Sequence, residues 1–248
     1  QAICCRHLPQ GGVEWLADYH SMTSSASLRN YGARHVRPSS QEQGNNTRDA
    51  AWQPCQLPSG ALMPRVGFGT WDLRGASCYN AVLAALAYGY RHFDTALMYG
   101  NEREVGHALA DSGVPRSELF VVGKLSNGHL GGPKMPGTER FDPAATEEIF
   151  DQQLRDLQLT YFDVYMPHNA GSEPAKVRLM WKALERLHGK GRIRDLGVSN
   201  IGVPALRSLI SAVTVKPGYI QNGLDLRRPS TAASDIAAAV AHGLCFVG

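Results

Sequence analysis

Long apolar runs are missing from this sequence. None approaches the ~20 residues that a membrane-spanning helix needs, so the sequence predicts no membrane partner. Its 25 lysines and arginines are scattered and its net charge is only +3, whereas nucleic-acid-binding proteins gather basic residues into a patch or stripe. The sequence therefore gives no support to nucleic-acid binding either.

Metal-binding cysteine motifs are also missing. The five cysteines form no CxxC pair and have no cysteine–histidine spacing suited to zinc; they are Cys4, Cys5, Cys55, Cys78 and Cys245. No metal site is therefore predicted. Because their number is odd and they form no motif, we expect free thiols in a reducing compartment, and hence a cytoplasmic protein.

Two common nucleotide-binding motifs are absent as well. A Rossmann sheet carries GxGxxG after its first strand, whereas the stretch Gly67-Phe68-Gly69-Thr70-Trp71 lacks the third glycine and the following helix. The glycine-rich stretch 127–137 lacks the GK[ST] of a phosphate-binding loop, and we expect a loop at the rim of a site there.

The chain divides into two parts with different residue patterns. Residues 1–54 contain polar stretches at 21–25 and 41–47 and sustain no apolar period, which predicts a poorly structured N-terminal extension. Residues 55–248 begin with a small predicted hairpin at 56–64 and then alternate strand-like and helix-like patterns. One of the helices is predicted to begin at Asn101, with Glu104 completing a capping box. We therefore expect a single folded domain over residues 55–248.

Regular alternation of strands and helices with short connections predicts a parallel sheet. A doubly wound sheet and a (β/α)8 barrel both fit that alternation. The polar residues at the C-terminal ends of consecutive strands favour the barrel, because barrel enzymes build their sites there. Only about seven strands are recognisable, so we expect an incomplete (β/α)8 TIM barrel that is truncated at its C-terminus.

Three consecutive predicted strands end in side chains that can hold or move a proton. Asp94 ends one strand and Tyr99 follows it by five residues, while Lys124 and His168 end the next two strands. An ammonium group beside a phenol stabilises the phenolate and lowers a phenol pKa that is ordinarily ~10. We therefore expect a proton-transfer site in which Asp94 fixes Lys124, Lys124 lowers the pKa of Tyr99, and His168 lies on the same rim. Taken singly, each has a plainer alternative as a turn, packing or core residue.

Six stretches of the chain resemble motifs of the aldo-keto reductases. They occur in that family's order and spacing over roughly residues 57–248, and they are Gly67–Trp71, Asp94–Glu102, Gly123–Asn127, Asp163–His168, Gly189–Asn200 and Gln221–Asn222. Each stretch alone is weakly specific, but their ordered succession is strong. The resemblance implies a (β/α)8 barrel that reduces aldehydes and ketones with NADPH.

The same resemblance implies roles for individual residues. Asp94, Tyr99, Lys124 and His168 match the family's catalytic tetrad, in which Tyr99 is the general acid that protonates the carbonyl oxygen as hydride arrives from NADPH. The implied cofactor-binding residues are Thr70, Trp71, Asp94, Ser199, Asn200 and Gln221. The implied partner is a small carbonyl substrate, and we expect a monomer.

Departures from the family pattern weaken these expectations. Asn169 follows the histidine where the family often has an aromatic residue. The family's nicotinamide-stacking aromatic and the basic loop that grips the 2′-phosphate of NADPH would both fall after Gly248. Since a charged hydrogen bond contributes about 1.5–3 kcal/mol, we expect this chain to bind NADPH weakly or not at all. A submillimolar affinity would contradict that expectation. The alternative function is a catalytically inactive or regulatory relative.

Overall fold

The computed structural model describes residues 53–126, 143–224 and 229–248. The predicted N-terminal extension, residues 1–54, therefore lies almost wholly outside the described residues. So do the predicted rim loop at 127–137 and two of the cysteines, Cys4 and Cys5.

Seven strands of the described chain form one parallel sheet, and they neighbour one another in chain order. These strands are β3 (Phe68–Gly69), β4 (His92–Asp94), β5 (Phe120–Leu125), β6 (Phe162–Pro167), β7 (Ile193–Ser199), β8 (Tyr219–Gln221) and β9 (Cys245–Val247). The sheet curls into an incomplete (β/α)8 barrel, so the predicted fold class and the strand count are confirmed.

Six α-helices of the described chain surround this sheet. They are α1 (Gly75–Ala87), α2 (Glu102–Asp111), α3 (Pro143–Leu157), α4 (Pro174–Gly189), α5 (Val203–Ala212) and α6 (Pro229–Ala241). Each follows a strand and turns an apolar stripe toward the sheet, as Val177, Trp181 and Leu184 do on α4. No helix in the described ranges combines the length and the apolarity that crossing a bilayer requires.

Alternation along the strands produces two apolar layers. On β5, Val121 belongs to the layer between the sheet and the helices, whereas Phe120 and Val122 belong to a smaller cluster inside the barrel. Side chains two residues apart on a strand share a face. Lys124 therefore continues the inward row, so the barrel interior changes from apolar to polar toward the C-terminal ends of the strands.

The predicted hairpin is confirmed and closes the opposite end of the barrel. Strands β1 (Cys55–Gln56) and β2 (Leu62–Met63) pair antiparallel, and Leu57 and Met63 are buried in the inner apolar cluster. The backbone N–H of Ser59 donates to Oδ1 of Asp195 at 3.0 Å, and its hydroxyl donates to the other oxygen of that carboxylate. Because Asp195 lies near the start of β7, the hairpin covers the N-terminal ends of the strands.

The expectation that all cysteines are free thiols is wrong for two of them. Cys55 of the hairpin and Cys245 of β9 form a disulfide that spans 190 residues of sequence. Cys78 is free and buried. The sequence-based expectation failed because pairing depends on proximity in space, and the barrel brings the hairpin against the last strand of the sheet.

Reducing the Cys55–Cys245 bond is expected to lower the free energy of unfolding by about 2–5 kcal/mol, because the bond restricts a long loop of the unfolded chain. Chemical unfolding with and without dithiothreitol measures the change. The variant Cys55→Ser is the control, since its stability should not respond to the reductant. An unchanged unfolding midpoint, with mass spectrometry showing the bond reduced, would contradict this expectation.

Candidate functional site

Parallel strand pairing brings three of the four predicted catalytic residues to one rim of the barrel. Asp94 at the end of β4 lies opposite Val122, and Lys124 follows two residues later on the same face of β5. Lys124 lies opposite Met166 of β6, and His168 follows two residues beyond that. Asp94, Lys124 and His168 therefore face the barrel interior at the C-terminal ends of successive strands.

A short turn carries Tyr99 to the same rim. Leu97–Tyr99 form a 3₁₀ turn that Gly100 ends in the left-handed conformation, with φ of 63°, which favours glycine. The side chain of the next residue, Asn101, donates to the backbone oxygens of Thr70 at 2.8 Å and Leu73 at 3.0 Å. The expected capping role of the Asn101 side chain on α2 is therefore wrong. It instead anchors the Tyr99 turn to the segment after β3.

The buried ammonium of Lys124 is the centre of the cluster. It donates to Oδ1 of Asp94 in a close ion pair, to the hydroxyl oxygen of Tyr99 at 3.2 Å, and to the backbone oxygen of Thr95 at 3.3 Å. An ammonium group has three donors, and each has an oxygen in reach. Lys124 is thus held by a carboxylate while it contacts a phenol.

Burial and charge compete at the Tyr99 hydroxyl. Burial raises the pKa of Tyr99 above its ordinary value, and the nearby Asp94 carboxylate acts in the same direction. The Lys124 ammonium and its hydrogen bond lower the pKa, but they do not offset burial. The expected net lowering is therefore wrong, and the phenol stays protonated at neutral pH. A group in that state is able to give up a proton.

His168 lies beside Tyr99 as a neutral imidazole. The ring centroids are 5.7 Å apart in an edge-to-face arrangement. Burial, followed by the charge of Lys124, lowers the His168 pKa to about 4, against a smaller opposing effect of Asp94. Its buried Nδ1 has no hydrogen-bond partner within the described part of the chain. A neutral ring with one N–H is suited to bonding a carbonyl oxygen.

Three of the predicted cofactor-binding residues lie side by side at the ends of β7 and β8. The side-chain amide of Asn200 donates to Oγ of Ser199 at 3.1 Å and to the backbone oxygen of His168 at 2.8 Å. The side-chain amide of Gln221 donates to Oδ2 of Asp94 at 3.0 Å. Gln221 thus lies beside Asp94, and the hydroxyl and amide groups of the three residues are of the kind that can bond the carboxamide of a nicotinamide ring.

Two more of the six predicted cofactor-binding residues follow β3, and the sixth is Asp94. Thr70 is fully buried, and its N–H and its hydroxyl both donate to the backbone oxygen of Asp94, at 3.0 and 3.1 Å. Trp71, by contrast, leaves 53% of its surface exposed. Thr70 therefore ties the ends of β3 and β4 together, while Trp71 offers an aromatic surface at the mouth of the barrel.

Sequence reasoning missed a buried polar group behind this site. Gln153 of α3 is fully buried beside Glu102 of α2 and Tyr165 of β6. The sequence alone could have indicated it, because Gln153 is a polar residue on the same helix face as Phe150 and Leu157, where an apolar residue is the rule.

Comparisons with known proteins find relatives of this chain. The profile of the Aldo/keto reductase family matches residues 65–248. The chain is 34% identical over 194 residues to a Schizosaccharomyces pombe protein named as an uncharacterized oxidoreductase, covering 71% of this chain and 57% of that one. It is 35% identical over 188 residues to aldo-keto reductase family 1 member A1 of Pongo abelii, covering 66% and 54%.

Solved structures show the same relationship. An aldo/keto reductase from Brucella melitensis superposes with a TM-score of 0.68 at 30% identity, covering 78% of this chain and 70% of that one. A Bombyx mori aldo-keto reductase solved in complex with NADP gives a TM-score of 0.65 at 26% identity, covering 79% and 66%. The chain spans between half and two thirds of the length of the curated relatives compared above. By sequence and by fold, the chain belongs to the aldo/keto reductase family.

Proposed function

We propose that this chain reduces aldehydes or ketones to alcohols with NADPH, and that Tyr99 is the general acid. The observation that carries the proposal is the contact of the Tyr99 hydroxyl with the buried Lys124 ammonium at 3.2 Å, at the same rim as His168. A protonated phenol beside a fixed positive charge can release a proton to a developing alkoxide, since the ammonium stabilises the phenolate that remains.

Each member of the cluster has a distinct part in this proposal. Asp94 holds the buried Lys124 ammonium in place through their ion pair. The neutral imidazole of His168 donates a hydrogen bond to the substrate carbonyl oxygen and aims it at Tyr99. Tyr99 transfers its proton to that oxygen, and Lys124 stabilises the resulting phenolate. General acid catalysis of this kind typically contributes about 10²–10⁴ in rate.

NADPH fits the residues at the ends of β7 and β8. Ser199, Asn200 and Gln221 would hold its carboxamide through their hydroxyl and amide groups, and Trp71 would contact it from the β3 side. When bound, it supplies the hydride. The hydrogen bond from Gln221 to Asp94 at 3.0 Å supports this placement, because it connects a proposed cofactor-binding residue to a proposed catalytic residue.

The expected partner is a small carbonyl compound, and we propose a monomer. Disulfides form and persist mainly in oxidising compartments. The Cys55–Cys245 bond therefore weighs against the cytoplasmic location expected from the sequence.

Replacing Tyr99 with phenylalanine tests the proposal. The phenol is the proposed proton source, so we expect NADPH-dependent reduction of a small aldehyde to fall by about 10²–10⁴. Tyr88→Phe is the matched control, since Tyr88 is 55% exposed on the surface. Equal rates for the two variants would contradict the proposal.

A further inference from the structure

One side-chain amide joins four structural elements behind the candidate site. Nε2 of Gln153 donates to Oε1 of Glu102 at 2.7 Å and to the backbone oxygen of Lys124 at 3.4 Å. Oε1 of Gln153 accepts a hydrogen bond from the hydroxyl of Tyr165. The amide of α3 thereby contacts α2, β5 and β6. We call Gln153, Glu102, Tyr165 and the carbonyl of Lys124 the amide junction.

The amide junction is buried, and the Gln153 amide has all its hydrogen-bond partners within it. Gln153, Tyr165 and Lys124 are fully buried, and Glu102 is 6% exposed. The amide uses both of its N–H groups and its oxygen within the junction, so its orientation is fixed. Removing it would leave buried polar groups without partners, which structures avoid.

The junction holds both members of the proposed acid pair. Glu102 lies three residues after Tyr99 and begins α2, so it fixes the segment that carries the phenol. The carbonyl of Lys124 belongs to the residue that carries the ammonium. Gln153 therefore links the segment that carries the phenol to the strand that carries the ammonium.

We propose that Gln153 is a positioning residue that sets the distance between the Tyr99 hydroxyl and the Lys124 ammonium. Gln153 touches neither of these reacting groups and acts through the backbone of Lys124 and the side chain of Glu102. The inference rests on the proposed function in assigning the Tyr99–Lys124 pair to acid catalysis. The geometric claim concerns only the approach of the two groups.

The test is the pKa of Tyr99, measured by NMR of tyrosine labelled with ¹³C at the ring carbon that bears the hydroxyl. The Tyr99 signal is assigned by its loss in Tyr99→Phe. In Gln153→Leu the segments that carry the two groups lose this link, so we expect the ammonium and the phenol to move apart and the pKa of Tyr99 to rise by about 1. Gln152→Leu is the matched control, because Gln152 is an exposed neighbour on α3.

A second variant with a smaller change keeps the test informative if Gln153→Leu does not fold. Tyr165→Phe removes only the hydroxyl that orients the Gln153 amide, and we expect a smaller rise of the Tyr99 pKa in the same direction. If both junction variants fold but leave the pKa of Tyr99 unchanged while lowering stability, the junction is purely structural and the inference fails. The titration needs no cofactor or substrate, so its outcome is independent of whether the chain reduces carbonyls.

Discussion

Replacing Lys124 with methionine is expected to lower the free energy of unfolding by about 3–5 kcal/mol, as loss of one partner from a buried ion pair does. Lys124 is fully buried, and its ammonium is the direct ionic partner of Asp94. Methionine has a similar volume and no charge, so the Asp94 carboxylate would stay buried with its bond to Gln221 but without its counter-ion.

Two further variants separate this charge effect from a packing effect. Lys182→Met removes an exposed lysine from α4 and should change stability by no more than about 0.5 kcal/mol. Adding Asp94→Asn to Lys124→Met removes the unpaired charge and should restore much of the loss. Chemical unfolding at neutral pH measures all three variants. Stability of Lys124→Met equal to that of the unaltered chain would show that the buried pair is not formed.

Replacing Glu102 with glutamine is expected to stabilise the protein at alkaline pH by a few kcal/mol. Burial raises the pKa of the Glu102 carboxyl from 4.5 to about 8, with a smaller contribution from Asp156. The hydrogen bond from Gln153 and the charge of Lys124 act in the opposite direction. A pKa difference of one corresponds to about 1.4 kcal/mol. The difference between the Glu102 pKa in the folded and unfolded chains therefore sets an upper limit on the gain in stability.

The pH range of this effect follows from the direction in which folding shifts the pKa of Glu102. The folded protein keeps the Glu102 proton between pH 4.5 and about 8, whereas the unfolded chain loses it. Stability from this group is therefore complete below pH 4.5 and is lost as pH rises through about 8. Glutamine keeps the acceptor oxygen that Gln153 binds but cannot ionise.

Unfolding curves across that window test the expectation. The stability difference between Glu102→Gln and the unaltered chain should be small in acid and should grow as pH rises. Glu148→Gln is the control, because it makes the same substitution at an exposed glutamate of α3 and should not reproduce the effect. Parallel curves for Glu102→Gln and the unaltered chain would contradict a buried neutral carboxyl.

Much of the fold could be predicted because each helix and strand carries its own pattern. The apolar stripe Val177, Trp181 and Leu184 defined α4, and the stretch from Phe162 to Met166, apolar except for Asp163, defined β6. The convergence of Asp94, Lys124 and His168 followed from parallel strands ending at one rim, which is a consequence of topology alone.

The features that could not be predicted depend on burial and on contacts between residues that are far apart in the sequence. The Cys55–Cys245 bond joins the two ends of the folded domain, and no local pattern records that proximity. The net pKa direction of Tyr99 depends on how deeply the turn is buried, so the charge of Lys124 alone gave the wrong sign. The contact of Gln153 with Glu102 crosses from one helix to another.

The measurement that tests the account most directly follows deuterium from NADPH labelled at its transferable position into the alcohol product of a small aldehyde. It is made on the unaltered chain, Tyr99→Phe and Tyr88→Phe, at NADPH concentrations high enough to offset weak binding, with NADPH fluorescence reporting occupancy. The account predicts labelled alcohol from the unaltered chain and from Tyr88→Phe, and about 10²–10⁴ less from Tyr99→Phe. Bound NADPH that yields no labelled alcohol in the unaltered chain, or an equal yield from Tyr99→Phe, would contradict it.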